Sequence, residues 1–247
     1  MAAPVDAAPK PLAPPRAAAV AGVVFSVLLI ISLALIRWSV PTDPTETAAW
    51  LADSGSRHTL GFALNLVPFA GIAFLWFMGV LRTRLGERED QFFAMVFLGS
   101  GLLFLAMLFA AAALAGGLLF AVNAGTIHPL ESEIFSSGRL TIYVLLNVFA
   151  VRMAGVFMFD TCTMALRTGI LPRWTVFLGY LSAVVLLLVI TDWPWIALLF
   201  PLWILLASAC ILLEEFRGQH PNAVRGRVRR RVARRELPAA WRHERGQ

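Results

Sequence analysis

One residue type is out of place in this sequence. Arg152 falls near the middle of the apolar run from Leu140 to Leu166. A central arginine costs about 2.5 to 3.5 kcal/mol on membrane-insertion scales, so it needs hydrogen-bonding partners. The only acid inside an apolar run is Asp160, eight residues further on, or about 12 Å along a helix axis. Helical side chains lean toward the amino end, so Asp160 leans toward Arg152 while Arg152 leans away, which disfavours a direct pair. Depth alignment offers better partners, because Asn65 and Asn147 share a level beside Arg152. Pro68 removes the amide that would serve the carbonyl of Leu64, and Pro201 does the same for Ala197; both are expected to kink their helices. A guanidinium has five donors and no acceptor, so amide oxygens and freed carbonyls suit it. The sequence therefore predicts a polar cluster of Arg152, Asn65 and Asn147, with Asp160 nearby, between the second, fourth and sixth spans. It is either a closed strut or an anion-binding site.

Other chemistry is thinly represented. His128, Glu131 and Glu133 could offer nitrogen and oxygen donors to a metal, but one histidine with two acids is a weak signal, and no metal site is expected. None of the four histidines lies in an apolar run, which argues against a bis-histidine haem. No phosphate-binding glycine loop, H-E-x-x-H or G-x-S-x-G is present, and no cofactor is expected. Asp160 with Cys162 is too little for an enzyme. Cys162 and Cys210 both fall in apolar runs and read as small packing residues rather than a disulfide.

The elements that must position these residues follow from composition. With 59% hydrophobic and 15% charged residues and a mean hydropathy of +0.74, the 247-residue chain cannot hide its apolar surface in a water-soluble core. A bilayer core of roughly 30 Å needs about 20 apolar residues per crossing. The expected architecture is all-α: a six-helix transmembrane bundle with spans at 17–36, 60–81, 92–122, 140–166, 174–190 and 195–213. Residues 1–16 carry five prolines and read as a disordered tail. The first span is too long for a signal-peptide core and reads as a retained anchor. Between the last two spans, Asp192 with Trp193 and Trp195 reads as an interfacial turn, with a re-entrant hairpin as the alternative.

Lysine and arginine set the orientation. Segments on one side of the spans hold 17 of them and those on the other side hold 3, namely Arg37, Arg57 and Arg139. Basic excess marks the cytoplasmic side, so both termini are expected in the cytoplasm, with the chain in the inner (plasma) membrane. In the first external loop, Asp43, Pro44 and Glu46 read as a cap, a first-turn proline and a capping-box acid. They predict a short outer-surface helix through Trp50 that stops near Gly55. Ala112 with Gly116 and Ala113 with Gly117 form small-xxx-small steps, expected to pack against other helices of the same bundle.

From Arg167 to Trp174 the chain reads as a tight turn in which Gly169 takes the left-handed conformation and Pro172 opens the next helix. Arg152 with Met153, this turn, Gly179 with Tyr180, and Phe200, Pro201, Leu202 and Trp203 together resemble uncharacterised multi-pass membrane proteins of actinobacteria. The resemblance covers roughly the carboxyl half. It implies a bacterial membrane bundle and supplies no activity.

Residues 216–247 carry ten arginines, Arg225, Arg227, Arg229, Arg230, Arg231, Arg234 and Arg235 among them. Val224, Val228 and Val232 recur every fourth residue, as in a basic amphipathic helix on anionic lipid headgroups; nucleic acid is not the expected ligand. The partners are then the bilayer and a protein partner or second copy of the chain. The sequence favours a membrane-embedded scaffold or regulatory protein. A small-solute or lipid transporter using Arg152, Asn65 and Asn147 is the alternative.

Overall fold

The computed structural model describes residues 15–39, 53–85, 91–125, 133–188 and 195–213. These form six helices with no strand among them: α1 (Pro15–Ser39), α2 (Ser54–Leu85), α3 (Gln91–Asn123), α4 (Glu133–Thr168), α5 (Arg173–Leu188) and α6 (Ile196–Leu213). All but α5 are long and apolar enough to cross a membrane. With 16 residues, α5 rises only about 24 Å. The expected helix after Asp43, the turn at Asp192 and both tails, including Arg225 to Arg235, lie outside the described residues.

The bundle is apolar on both its inside and its outside. Met95, Phe120, Leu188, Trp76 and Phe69 are each more than 60% exposed, a surface that water does not tolerate and lipid does. Inside, seven phenylalanines interlock across five helices. Phe25 of α1, Phe74 and Phe77 of α2, Phe97 and Phe104 of α3, Phe157 of α4 and Phe200 of α6 are all buried. Ring centroids lie 4.7 Å apart for Phe25 and Phe74, 4.7 Å for Phe97 and Phe157, and 4.8 Å for Phe104 and Phe200. Each such pair adds about 0.5 to 1.5 kcal/mol beyond its buried area.

Where lipid offers no hydrophobic gradient between helices, close approach and polar contacts fix the packing. Ser32 of α1 donates to the carbonyl of Ala63 on α2 at 2.8 Å. The indole of Trp203 on α6 donates to the Thr175 carbonyl on α5 at 3.2 Å, and Thr163 of α4 meets the Tyr180 hydroxyl of α5 at 2.8 Å. A Cβ at Gly22 would fall on the Oγ of Ser208, and one at Gly101 on the Sδ of Met78. The small-xxx-small steps on α3 do not serve this purpose. A Cβ at Gly116 or Gly117 would meet no atom of the described residues within 4 Å, and Ala113 and Gly117 are exposed. Larger residues elsewhere on α3, Phe97, Phe104 and Leu108, carry its contact with the core.

The turn after α4 forms as its residues dictate. Gly169 has φ 69° and its amide bonds the Ala165 carbonyl at 2.9 Å. Pro172 then offers its carbonyl to Thr175 at 3.0 Å, at the opening of α5. At the start of α2, Ser54 opens the helix and Asp53 precedes it. Asp53 accepts from the Ser56 hydroxyl at 2.7 Å and from the amides of Ser56 at 2.9 Å and Gly55 at 3.2 Å, which is an N-cap. These bonds, led by that to the Ser56 side chain, hold its carboxyl below the usual carboxylate range. Helix α2 therefore begins before residue 60 and runs unbroken past Pro68.

Candidate functional site

Helix α4 is one continuous helical rod with a change of pitch inside it. Residues Val144–Ala150 form a π-helical turn, flanked by α-helix on both sides. The amide of Val151 reaches back to the carbonyl of Leu146. Such wide turns shift the side chains that follow around the axis and recur at functional sites.

The π turn faces a cavity of about 360 Å³. Its wall takes the carboxyl-terminal end of α1 (Leu29 to Ile36), the amino-terminal part of α2 (Leu60 to Val67), the second half of α3, the first half of α4, Leu186 of α5 and the start of α6 (Trp195 to Phe200). Phe104 and Phe200 belong both to this wall and to the phenylalanine cluster, so the rings form the floor. Beyond the floor lies a second void of only about 20 Å³, lined by Phe77, Leu81 and Trp203 among others. The large cavity is therefore blind toward the end of the bundle that carries Arg82, Arg167 and Arg173.

Among the described residues the wall is mostly alanine, leucine, phenylalanine and other apolar residues, broken by Ser32 of α1 and by three polar side chains of α4. Arg139, Tyr143 and Asn147 stand at i, i+4 and i+8, and all three line the cavity. That spacing puts them in one row on a helix face. Among the described residues that line the cavity, Arg139 alone is charged. Arg139 and Tyr143 each hold further interactions in the fold.

The sequence-predicted cluster is divided by this geometry. Asn147 lines the cavity, as do Leu64 and Ala197, the residues whose carbonyls were expected to be freed by Pro68 and Pro201. Arg152 and Asn65 do not line it. Asn65 is exposed, and its amide donates to the Gly61 carbonyl of its own helix at 2.9 Å. Arg152 is half-buried and donates from Nη1 to the Val148 carbonyl at 2.8 Å, again on its own helix and inside the π turn. The expectation that its partners lie on other helices gives way to this local bond. The lean of helical side chains toward the amino end accounts for the reach. Asp160 is buried, at 4% exposure. Pro201 is buried near the start of α6, just after the 3₁₀ turn Ile196–Leu198, where a missing amide costs little and no mid-helix kink arises.

Arg139 was missed because the residues before 140 read as loop, and Tyr143, inside the expected 140–166 span, was passed over as an aromatic of an apolar run. Helix α4 begins at Glu133, and the four-residue spacing of Arg139, Tyr143 and Asn147 was the available signal. His128 and Glu131 lie outside the described residues. Among the described residues no three His, Cys, Asp or Glu side chains group to hold a metal. Cys162 is buried beside Gly179 and Cys210 lies near the Thr175 hydroxyl; both are free thiols.

No protein-family model, curated protein or solved structure matches this chain.

Proposed function

We propose that this chain is a multi-pass membrane protein that holds a lipid-like molecule in the α1 to α6 cavity and acts as an interaction or regulatory protein rather than as a conduit. The observation that carries this reading is the blind cavity. A volume of about 360 Å³ lies in the range of ligand pockets, and its wall is apolar. The phenylalanine floor weighs against the alternative of a small-solute or lipid transporter, since passage would require seven interlocked rings to part. The bundle is read with both termini cytoplasmic in the inner (plasma) membrane, because the basic residues concentrate at the end of the bundle away from the cavity and in the carboxyl tail. That tail, Arg225 to Arg235 included, is read as a contact for anionic headgroups.

The test is to fill the cavity from within. Ala154 is 1% exposed and lines the wall. Ala154→Leu should stabilise the empty protein through added van der Waals contacts with the cavity wall and abolish the thermal shift that single-chain amphiphiles give the wild type. An Ala154→Leu protein that responds to amphiphiles as the wild type does would sink the cavity reading.

A further inference from the structure

Resting on the reading of the cavity as a binding site, we infer that its occupant enters and leaves sideways from the bilayer, through the seam between α3 and α4, and that the π turn is the hinge that opens this seam. Three features of α4 lead there.

The first is a row of side chains that a regular helix does not keep on one face. Phe135, Arg139, Tyr143, Asn147 and Val151 follow one another in steps of four, and all line the cavity. Phe135 and Val151, at the two ends of the row, are both buried. At about 100° per residue, each step of four overshoots a full turn by about 40°, so four steps carry an α-helical row about 160° around the axis. An i→i−5 turn holds one residue more than an i→i−4 turn and takes back about 100° of that. The π turn at Val144–Ala150 is thus what points the amino-terminal part of α4 into the cavity.

The second is the register that the same helix has without the π turn. Beyond the turn, Phe157 is fixed among the phenylalanine rings, with Phe97 at 4.7 Å and Phe74 at 5.1 Å between centroids. If Val144–Ala150 wound as regular α-helix, the part before it would therefore take up the extra residue. That part would advance by about 1.5 Å and rotate by about 100°, so each place along it would pass to the next residue in sequence. Leu140, now exposed, would take the place of Arg139 in the wall, and Arg139 would take the place of Gly138. Helix shifts of this size are established switching movements.

The third is the seam itself. Gly138 is a point of close approach between α4 and α3, since a Cβ there would lie 2.8 Å from Cδ1 of Leu118. Leu118 lines the cavity. Phe120 and Leu140, two residues beyond each in sequence, are exposed, so the seam borders lipid on its outer side. In the π register the missing side chain of Gly138 lets the seam shut. With Arg139 in that place, a long side chain stands where even a Cβ is crowded, and α4 swings away from α3. The π register is the closed state and the α register the open one. The interactions that Arg139 and Tyr143 already hold favour the closed state, because the rotation gives them up.

Trp195 lies in the cavity wall and supplies the probe. The full-length protein in nanodiscs of neutral lipid is mixed with a dodecanol brominated on its chain. Trp195 quenching is isolated by subtracting the Trp195→Phe protein, and the share that Ala154→Leu abolishes is counted as cavity quenching. Leu118→Cys with Gly138→Cys, in a chain whose own thiols are removed by Cys162→Ala and Cys210→Ala, sets two thiols across the seam within reach of a disulfide. The shorter side chain at 118 makes room for the new Cβ. Oxidising the folded pair should slow uptake and release of the dodecanol by about tenfold or more, leave the half-quenching concentration within about twofold, and be reversed by reduction. One folded sample is compared before and after oxidation. Deleting Leu145 removes the extra residue while both parts of α4 keep their faces, and should slow exchange to a similar extent. An oxidised pair that exchanges as fast as the reduced one overturns the inference and leaves the cavity reading intact. A pair that does not cross-link, or a folded deletion protein that exchanges at the wild-type rate, overturns it too. If Ala154→Leu leaves all of the quenching in place, the cavity reading itself fails and the inference goes with it.

Discussion

The guanidinium of Arg152 donates to the carbonyl of Val148 one turn earlier, at 2.8 Å, inside the π turn of α4. A pitch change of this kind disturbs the regular backbone ladder, because spacing passes from i→i−5 back to i→i−4. Arg152 sits where the ladder returns to α-helix. One of its five donors is bonded locally, so the residue acts as a clasp on the π turn.

Replacing Arg152 with Met therefore removes a charge-assisted bond of about 1.5 to 3 kcal/mol together with a membrane charge that costs a comparable amount. The expected outcome is a melting temperature within a few degrees of wild type. Asn65→Leu should be equally mild, since its amide serves only its own exposed helix face. A collapse of expression in either variant would show partners on other helices, and thermal unfolding in detergent decides it.

Gly22 and Ser208 should be energetically coupled. Ser208 is fully buried and its Oγ has no hydrogen-bond partner among the described residues. Ser208→Ala should then stabilise, by about 1 kcal/mol or more. Gly22→Ala should destabilise by about 1 to 3 kcal/mol through overpacking, and Ser208→Ala should relieve much of that loss. A double-mutant cycle measures the coupling; additive effects would contradict the contact.

At the α4 to α5 turn, Gly169→Val forces a β-branched residue into the left-handed region. A loss of about 1 to 3 kcal/mol is expected. Gly169→Asn should recover most of it, since asparagine tolerates that conformation. The pair is compared by thermal unfolding.

Asp53 ties the start of α2 to pH. Its folded pKa lies below its unfolded value, so its contribution is complete above the ordinary aspartate value of about 3.9 and is lost as pH falls through the lower folded value. Asp53→Ala should lower the melting temperature by a few degrees at neutral pH. Asp53→Asn should keep most of the cap and flatten the acid-side dependence. An Asp53→Ala protein with an unchanged acid-side profile would remove the cap from the account.

Orientation is open to reporter fusions. Fusions after Gly125 should read as external, and fusions after Gly86, Gly169 and Gly246 as cytoplasmic. An external reading at Gly246 would overturn the proposed six-crossing topology.

What could be read from the sequence was what local chemistry decides. Gly169 and Pro172 specify their turn within a few residues, and apolar length alone separates α1, α2, α3, α4 and α6. Depth alignment grouped Leu64, Asn147 and Ala197, and all three line the cavity. Rotation was not. Depth alignment says nothing about which way a helix faces, so Asn65, at the right level, points outward while Asn147 points in. The π turn added to the difficulty, because it turns every side chain after Val144 away from the register that a regular period assigns. Arg139 was hidden by a loop boundary drawn at the last polar residues instead of at Glu133. The phenylalanine cluster depends on five helices meeting, which no window of sequence contains.

That cluster makes the molecule mechanically unequal along its length. On one side of the rings, side chains interlock and leave a void of only about 20 Å³; on the other the same helices border one of about 360 Å³. Interiors that are fully packed resist compression, and those with voids yield. Each helix that crosses the floor thus has a stiff half and a compliant half. Backbone amide exchange should trace that division as a gradient along α2, α3 and α4, slowest near Phe74, Phe97 and Phe157, and rising toward the half that surrounds the empty space.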